Sequence, residues 1–96
     1  MGAYGASRAA IELLTKAWAA EFGPQNVRVN ASAPGPTLTP SLEPKLAMAE
    51  EFAKTTPLGR VAGVHELFEV ITFLATPSAG YINGAIIPVD GGRLAV

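Results

Sequence analysis

From Ala3 to Phe22 the apolar positions Ile11, Leu14, Trp18 and Phe22 recur at three- and four-residue steps, with Ala6, Ala10, Leu13 and Ala17 in an adjoining row. The pattern predicts a long helix buried over a wide arc. Its many alanines favour helix and let a neighbouring element approach closely. Gly23-Pro24 predicts the stop, because glycine accepts the left-handed conformation past a helix end and proline cannot continue the helix. From Val27 the chain alternates and then runs apolar through Ala33, which predicts a strand over 27–33 that ends at Pro34-Gly35. Pro36, Pro40 and Pro44 exclude one regular helix across the next segment, read here as a mobile, substrate-facing stretch. Leu46, Ala49 and Phe52 then recur at helical spacing with Glu50 and Glu51 outside, a short amphipathic helix from about Pro44 to Lys54. After a loop over 55–60, Leu67, Val70, Ile71 and Leu74 predict a helix from about His65 to Ala75 whose stripe faces a core. Thr76-Pro77-Ser78-Ala79-Gly80 breaks that helix, and 85–90 reads as a second short apolar strand before Gly91-Gly92.

A strand, helices and a second strand make a crossover unit, so the expected fold is α/β with about two parallel strands and three helices. Ligands of open α/β sheets sit outside the carboxyl ends of the strands, which makes the loop after Ala33 the candidate binding edge. Gly35 there would let backbone approach a bound group with no side chain in the way. The two apolar strands leave an open edge, and the chain is expected to be the back half of a larger sheet.

Composition narrows the picture further. At 96 residues the chain is at most one small domain with a thin stability margin. Its 49% hydrophobic and 16% charged residues exclude a disordered tail. Seven basic against eight acidic residues, with no basic run, exclude a surface for nucleic acid or anionic membrane. Without cysteine there is neither disulfide nor thiolate metal site, and the lone His65 reads as a surface or capping residue; a reducing cytoplasm is expected. No apolar run reaches the length of a membrane span.

Tyr4 and Arg8 stand four apart and so share one helix face about one turn apart. A nearby cation favours a phenolate and suits the pair to acid/base work on an alcohol or carbonyl oxygen. An ordinary stacking contact explains the same spacing. Trp18 reads as core or helix–helix interface, Tyr81 as a packing or subunit-contact residue and Asp90-Gly91-Gly92 as a structural turn.

Taken in order, Tyr4-Gly5-Ala6-Ser7-Arg8, then Val27-Arg28-Val29-Asn30 leading to Pro34-Gly35-Pro36-Thr37-Leu38-Thr39, then Pro57-Leu58-Gly59-Arg60, then 84–92 ending in Asp90-Gly91-Gly92 resemble the short-chain dehydrogenase/reductase family. The likeness spans nearly all of this chain but only the C-terminal portion of the family's Rossmann-like, doubly wound parallel sheet. It implies a single partial domain, residues 1–96, of an oxidoreductase using NAD or NADP to interconvert an alcohol and a carbonyl by hydride transfer. Tyr4 matches the catalytic tyrosine. Arg8 stands where the family has a lysine that binds the nicotinamide ribose and lowers the tyrosine pKa. Pro34, Gly35 and Thr37 match the loop that meets the nicotinamide amide, Thr39 a hydroxyl residue beside it, and Asn30 a structural asparagine. A homo-oligomer is implied, with a small-molecule substrate and neither nucleic acid nor membrane as partner. Three departures stand out. Arginine at position 8 keeps the charge but cannot deprotonate or hold the ribose as lysine does. No glycine-rich phosphate turn is present, and only three residues precede Tyr4, too few to hold the family's serine. The expectation is therefore a fragment inactive by itself. The alternative is a non-catalytic interaction module built on the same fold.

Overall fold

A computed structural model describes residues 2–38 and 46–95. The elements are α1 (Gly2–Phe22), β1 (Ala31–Pro34), β2 (Thr37–Leu38), α2 (Leu46–Ala53), β3 (Ala62–Gly63), α3 (Val64–Ala75) and β4 (Ile86–Val89), with 3-10 turns at Gly23–Gln25, Pro77–Ala79 and Arg93–Ala95. The chain divides into two compact units, one of residues 1–31 and 74–87, the other of residues 32–73 and 88–96.

In the first unit α1 stops where glycine and proline predict, but by another residue. Asn26, not Gly23, takes the left-handed conformation at φ 62°, and its N–H donates to the Gly23 carbonyl at 2.9 Å. Asparagine tolerates that region because its short side chain pairs locally. The buried side of α1 differs from the predicted one. Thr15 and Ala19 are buried, while Ile11, Leu14 and Trp18 stay 57%, 42% and 45% exposed. The turn at Asn83-Gly84 meets α1 at Ala19. Asn83 Nδ2 donates to the Ala19 carbonyl at 3.1 Å, and a Cβ on Gly84 would stand 3.3 Å from that of Ala19.

The strand predicted over 27–33 begins only at Ala31. Over the four residues before it side-chain bonds join one backbone bond to the partner segment, in which the Val29 carbonyl accepts the Gly84 N–H at 2.8 Å. Asn83 Oδ1 accepts the Val29 N–H at 3.0 Å, Asn30 Oδ1 accepts the Ala85 N–H at 2.9 Å, and Asn30 Nδ2 donates to the Ile82 carbonyl at 3.0 Å. Arg28 adds donors to the carbonyls of Ile82 and Thr76, both at 3.4 Å. Backbone groups that leave a ladder must find partners elsewhere, and two asparagines and one arginine supply them. Asn30 thus has the structural role that the resemblance implies.

Strands β1 and β4 pair. The Ala31 N–H donates to Ala85 and the Gly35 N–H to Val89, both at 2.9 Å, so the partners advance together along the two chains and the strands are parallel. In the second unit β2 and β3 form another parallel pair, Thr37 opposite Ala62 and Leu38 opposite Gly63. Two-residue strands are too short to leave a periodic signal, and neither was expected from the sequence. The helix expected over 44–54 is α2. Its two terminal threonines cap it: Thr55 Oγ1 donates to Phe52 O at 2.6 Å and Thr56 Oγ1 to Ala53 O at 2.7 Å.

α3 starts at Val64, with Gly63 in the cap position before it. The carboxylate of Glu66 accepts the Gly63 N–H at 2.8 Å, the backward half of a capping box, which satisfies an otherwise orphaned donor. The stripe expected to face a core is only half covered. No α3 residue is fully buried, and Ile71 of the stripe is 51% exposed. Among the described residues the fully buried positions are small: Thr15, Ala19, Ala33, Ala53, Thr56 and Ala79.

Candidate functional site

The loop leaving β1 lies in the second unit, where its geometry is set by backbone approach. A Cβ added at Gly35 would stand 2.8 Å from the Asp90 α-carbon, closer than real Cβ atoms come. The group that this glycine admits in the structure is therefore the neighbouring chain at Asp90. Beyond it the Thr37 hydroxyl donates to the Gly35 carbonyl at 2.9 Å, and the Ala62 N–H donates to the Pro36 carbonyl at 2.8 Å. Pro34 is exposed, and Gly35 and Thr37 are half-buried. Thr39 lies outside the described residues, as does most of the proline-punctuated stretch over 36–44. Beside the loop a cleft of about 530 Å³ is lined by Pro36, Leu58, Arg60, Glu66, Asp90 and Leu94 among others. Its volume is in the range of small-molecule sites.

The polar wall of that cleft was not anticipated. Arg60 donates to Glu66 through both arms, Nη2 to Oε1 at 2.7 Å and Nη1 to Oε2 at 3.0 Å. A two-armed contact needs the planar guanidinium, and sequence spacing alone gave no sign of it. The hydrogen bonds from Arg60, and then that from the Gly63 N–H, hold the Glu66 carboxyl down at about 2. The same pairing pushes Arg60 above its ordinary value. A depressed carboxylate stabilises the fold above its ordinary pKa of 4.5, and that contribution is lost as pH falls through about 2. We expect the thermal midpoint of the chain to drop across this interval, and Glu66→Gln to flatten that part of the profile. A Glu66→Gln profile parallel to wild type would contradict the assignment.

Tyr4 and Arg8 belong to the other unit. Both lie in α1, one turn apart along its backbone, and Arg8 is partly exposed. Each half of the expected site thus sits on its own unit, Tyr4 and Arg8 on the first and Pro34, Gly35 and Thr37 on the second. Asp90 closes the turn expected after the last strand. Its Oδ1 accepts the Gly92 N–H at 2.9 Å and its Oδ2 the Leu94 N–H at 3.3 Å, closing the chain after β4. Among the described residues no three acidic, histidine or cysteine side chains come together to hold a metal ion, and no helix is long and apolar enough to cross a membrane.

Comparison with known proteins gives these residues a setting. A family model described as enoyl-(acyl carrier protein) reductase matches residues 1–93. The 3-oxoacyl-[acyl-carrier-protein] reductase of Thermotoga maritima is 43% identical over 90 residues, covering 93% of this chain and 37% of that protein. A solved short-chain dehydrogenase/reductase family protein is 46% identical with a TM-score of 0.87, covering 97% of this chain and 38% of the other. The solved structure of ElxO with NADP bound is 28% identical at a TM-score of 0.87, over 97% of this chain and 39% of that one. The chain thus spans well under half the length of the proteins it matches. Its fold is the matching part of a Rossmann-type parallel α/β sheet, and the chain belongs to the short-chain dehydrogenase/reductase family, whose C-terminal part it matches.

Proposed function

We propose that these 96 residues are the C-terminal portion of an NAD(P)-dependent oxidoreductase that interconverts an alcohol and a carbonyl, with Tyr4 as the acid/base group. The observation that carries the reading is the family match over residues 1–93, within which Tyr4 and Arg8 keep their one-turn spacing on a continuous helix. A bound nicotinamide supplies or accepts the hydride. The chain's own residues do the rest: Tyr4 exchanges a proton with the substrate oxygen, and the Arg8 cation favours the phenolate and faces the ribose hydroxyls. Thr37 meets the carboxamide. Its hydroxyl hydrogen is committed to the Gly35 carbonyl, which leaves the oxygen lone pairs to accept an amide N–H, so the group fits. By the same reading Pro34, Gly35 and Thr39 complete that loop, and α2 with the stretch before it forms a wall of the substrate pocket.

This chain alone is proposed to be inactive and to bind the nucleotide weakly, since it carries no glycine-rich phosphate turn. The test is a chimera in which the 96 residues replace the matching segment of the Thermotoga maritima reductase. Nicotinamide-dependent reduction of a ketone by the chimera, and none by the isolated chain, is the expected result. A chimera that folds, binds the nucleotide and shows no turnover sinks the reading.

One observation favours the second reading, a non-catalytic module that pairs with another copy. Ile11, Leu14 and Trp18 present an exposed apolar row along α1. Light scattering that finds only monomers of the chain at high concentration counts against it.

A further inference from the structure

The residues after β4 fold back on the carboxyl end of α2, all within the second unit. The Arg93 guanidinium lies over the Phe52 ring, 4.7 Å from its centroid. Several contacts fix the backbone on both sides of this pair. The turn that carries Arg93 is closed by the two Asp90 carboxylate bonds to Gly92 and Leu94, and by the Ala95 N–H donating to Gly92 at 2.9 Å. On the helix side Thr56 is buried. Its hydroxyl donates to Ala53 and accepts the Gly59 N–H at 3.1 Å, which pins the last turn of α2 to the following loop. The Leu58 N–H then donates to the Gly91 carbonyl at 3.0 Å and joins that loop to the turn. A Cβ on Gly92, which has φ 93°, would stand 3.0 Å from Pro57 Cγ, so the turn lies directly against the segment that follows α2.

We infer that Arg93 is a positioning residue: through Phe52 it fixes the carboxyl half of α2, and with it the substrate wall, without touching substrate. The role assigned to α2 rests on the reductase reading above. The cation is attracted to the ring's π face, so the contact orients the ring as well as holding it. On the same helix Met48 is 72% exposed and Phe52 42%, and with Ala47 and Glu51 they line a shallow apolar groove. A shift in this half of the helix moves the apolar surface that a neutral or hydrophobic substrate would meet. Loss of Arg93 therefore weakens substrate binding and spares the chemical step. Lysine keeps the charge but not the planar head and restores the contact in part.

Amide hydrogen exchange on the 96-residue chain tests the clamp directly. Arg93→Ala is expected to speed exchange in α2 by about two- to five-fold, with α3 unchanged. Arg93→Lys should fall between wild type and alanine. Phe52→Leu should match Arg93→Ala, and the double variant should go no further than either single one, because one contact is lost once. Unchanged α2 exchange in Arg93→Ala, or an equal increase in α3, overturns the proposal. In the chimera Arg93→Ala should raise KM for the carbonyl substrate several-fold and leave kcat unchanged; an unchanged KM overturns the positioning role even where exchange reveals the contact. Failure of the reductase reading shows up elsewhere, as a chimera that folds and binds the nucleotide without turnover, and the exchange result on the 96-residue chain then still decides the clamp.

Discussion

Tyr4→Phe is expected to lower turnover of the chimera by about 10³-fold while nucleotide affinity stays within about two-fold of the parent. Phenylalanine keeps the ring and suits the helix as well as tyrosine does, so the change removes one hydroxyl and little else. If that hydroxyl exchanges the proton with the substrate oxygen, the reaction loses its acid in one direction and its base in the other. Arg8 gives the complementary test. A guanidinium supplies the charge that favours phenolate but does not deprotonate, so Arg8→Lys should raise turnover by about ten-fold if proton relay through the phenol limits the parent. In the Tyr4→Phe background the same change should have no effect on turnover, since the lysine acts through the phenol. Turnover that persists in Tyr4→Phe removes Tyr4 from the chemistry. A double variant in which Arg8→Lys still accelerates the reaction separates Arg8 from the phenol.

The order of elements was legible because each main stop carries its own chemistry. Gly23-Pro24 ended α1 and Pro34-Gly35 ended β1, and α2, α3 and β4 fell within a few residues of their periodic patterns. What stayed hidden depends on partners far apart in the chain. Nothing local to Val27 or Asn30 says that the side chains of Asn30 and Asn83 take over the backbone bonds there, fifty residues apart, and so the strand was drawn four residues too long. The β2–β3 pair is two residues deep and leaves no period to detect. Glu66 was legible in principle, as the third residue of α3 after a glycine, yet its bond to Arg60 needs the loop to fold first. The error on α1 is of another kind. The apolar arc read from Ile11, Leu14 and Trp18 is real as a pattern, but a pattern says which face is to be covered and not by what. In this chain the Asn83-Gly84 turn meets Ala19 instead. The site was legible only through the family. Tyr4 and Arg8 by spacing alone are as well explained by a stacking contact.

Gly35→Ala is expected to destabilise the chain by about 2 kcal/mol, read as a lowered urea midpoint. The glycine is needed for space and not for conformation, since it is absent from the positive-φ glycines, which are Gly59, Gly84, Gly91 and Gly92. The added methyl meets the Asp90 α-carbon at 2.8 Å and its carbonyl oxygen at 3.2 Å, and backbone cannot turn aside as a side chain tip can. Relief requires the two chains to part, which strains the Gly35 N–H bond to Val89 at 2.9 Å and displaces the Asp90 turn. Gly5→Ala is the control. Nothing beyond the adjoining residues and the helix's own backbone lies within 4 Å of that site, so alanine gains its helix propensity there and should stabilise by about 0.5–1 kcal/mol. The same methyl thus acts with opposite sign at two positions. The pair also separates two reasons for a glycine in the binding loop. A loss of stability without any nucleotide present assigns Gly35 to the approach of Asp90. An unchanged midpoint in the chain, with nucleotide affinity lowered in the chimera, assigns it to the ligand instead.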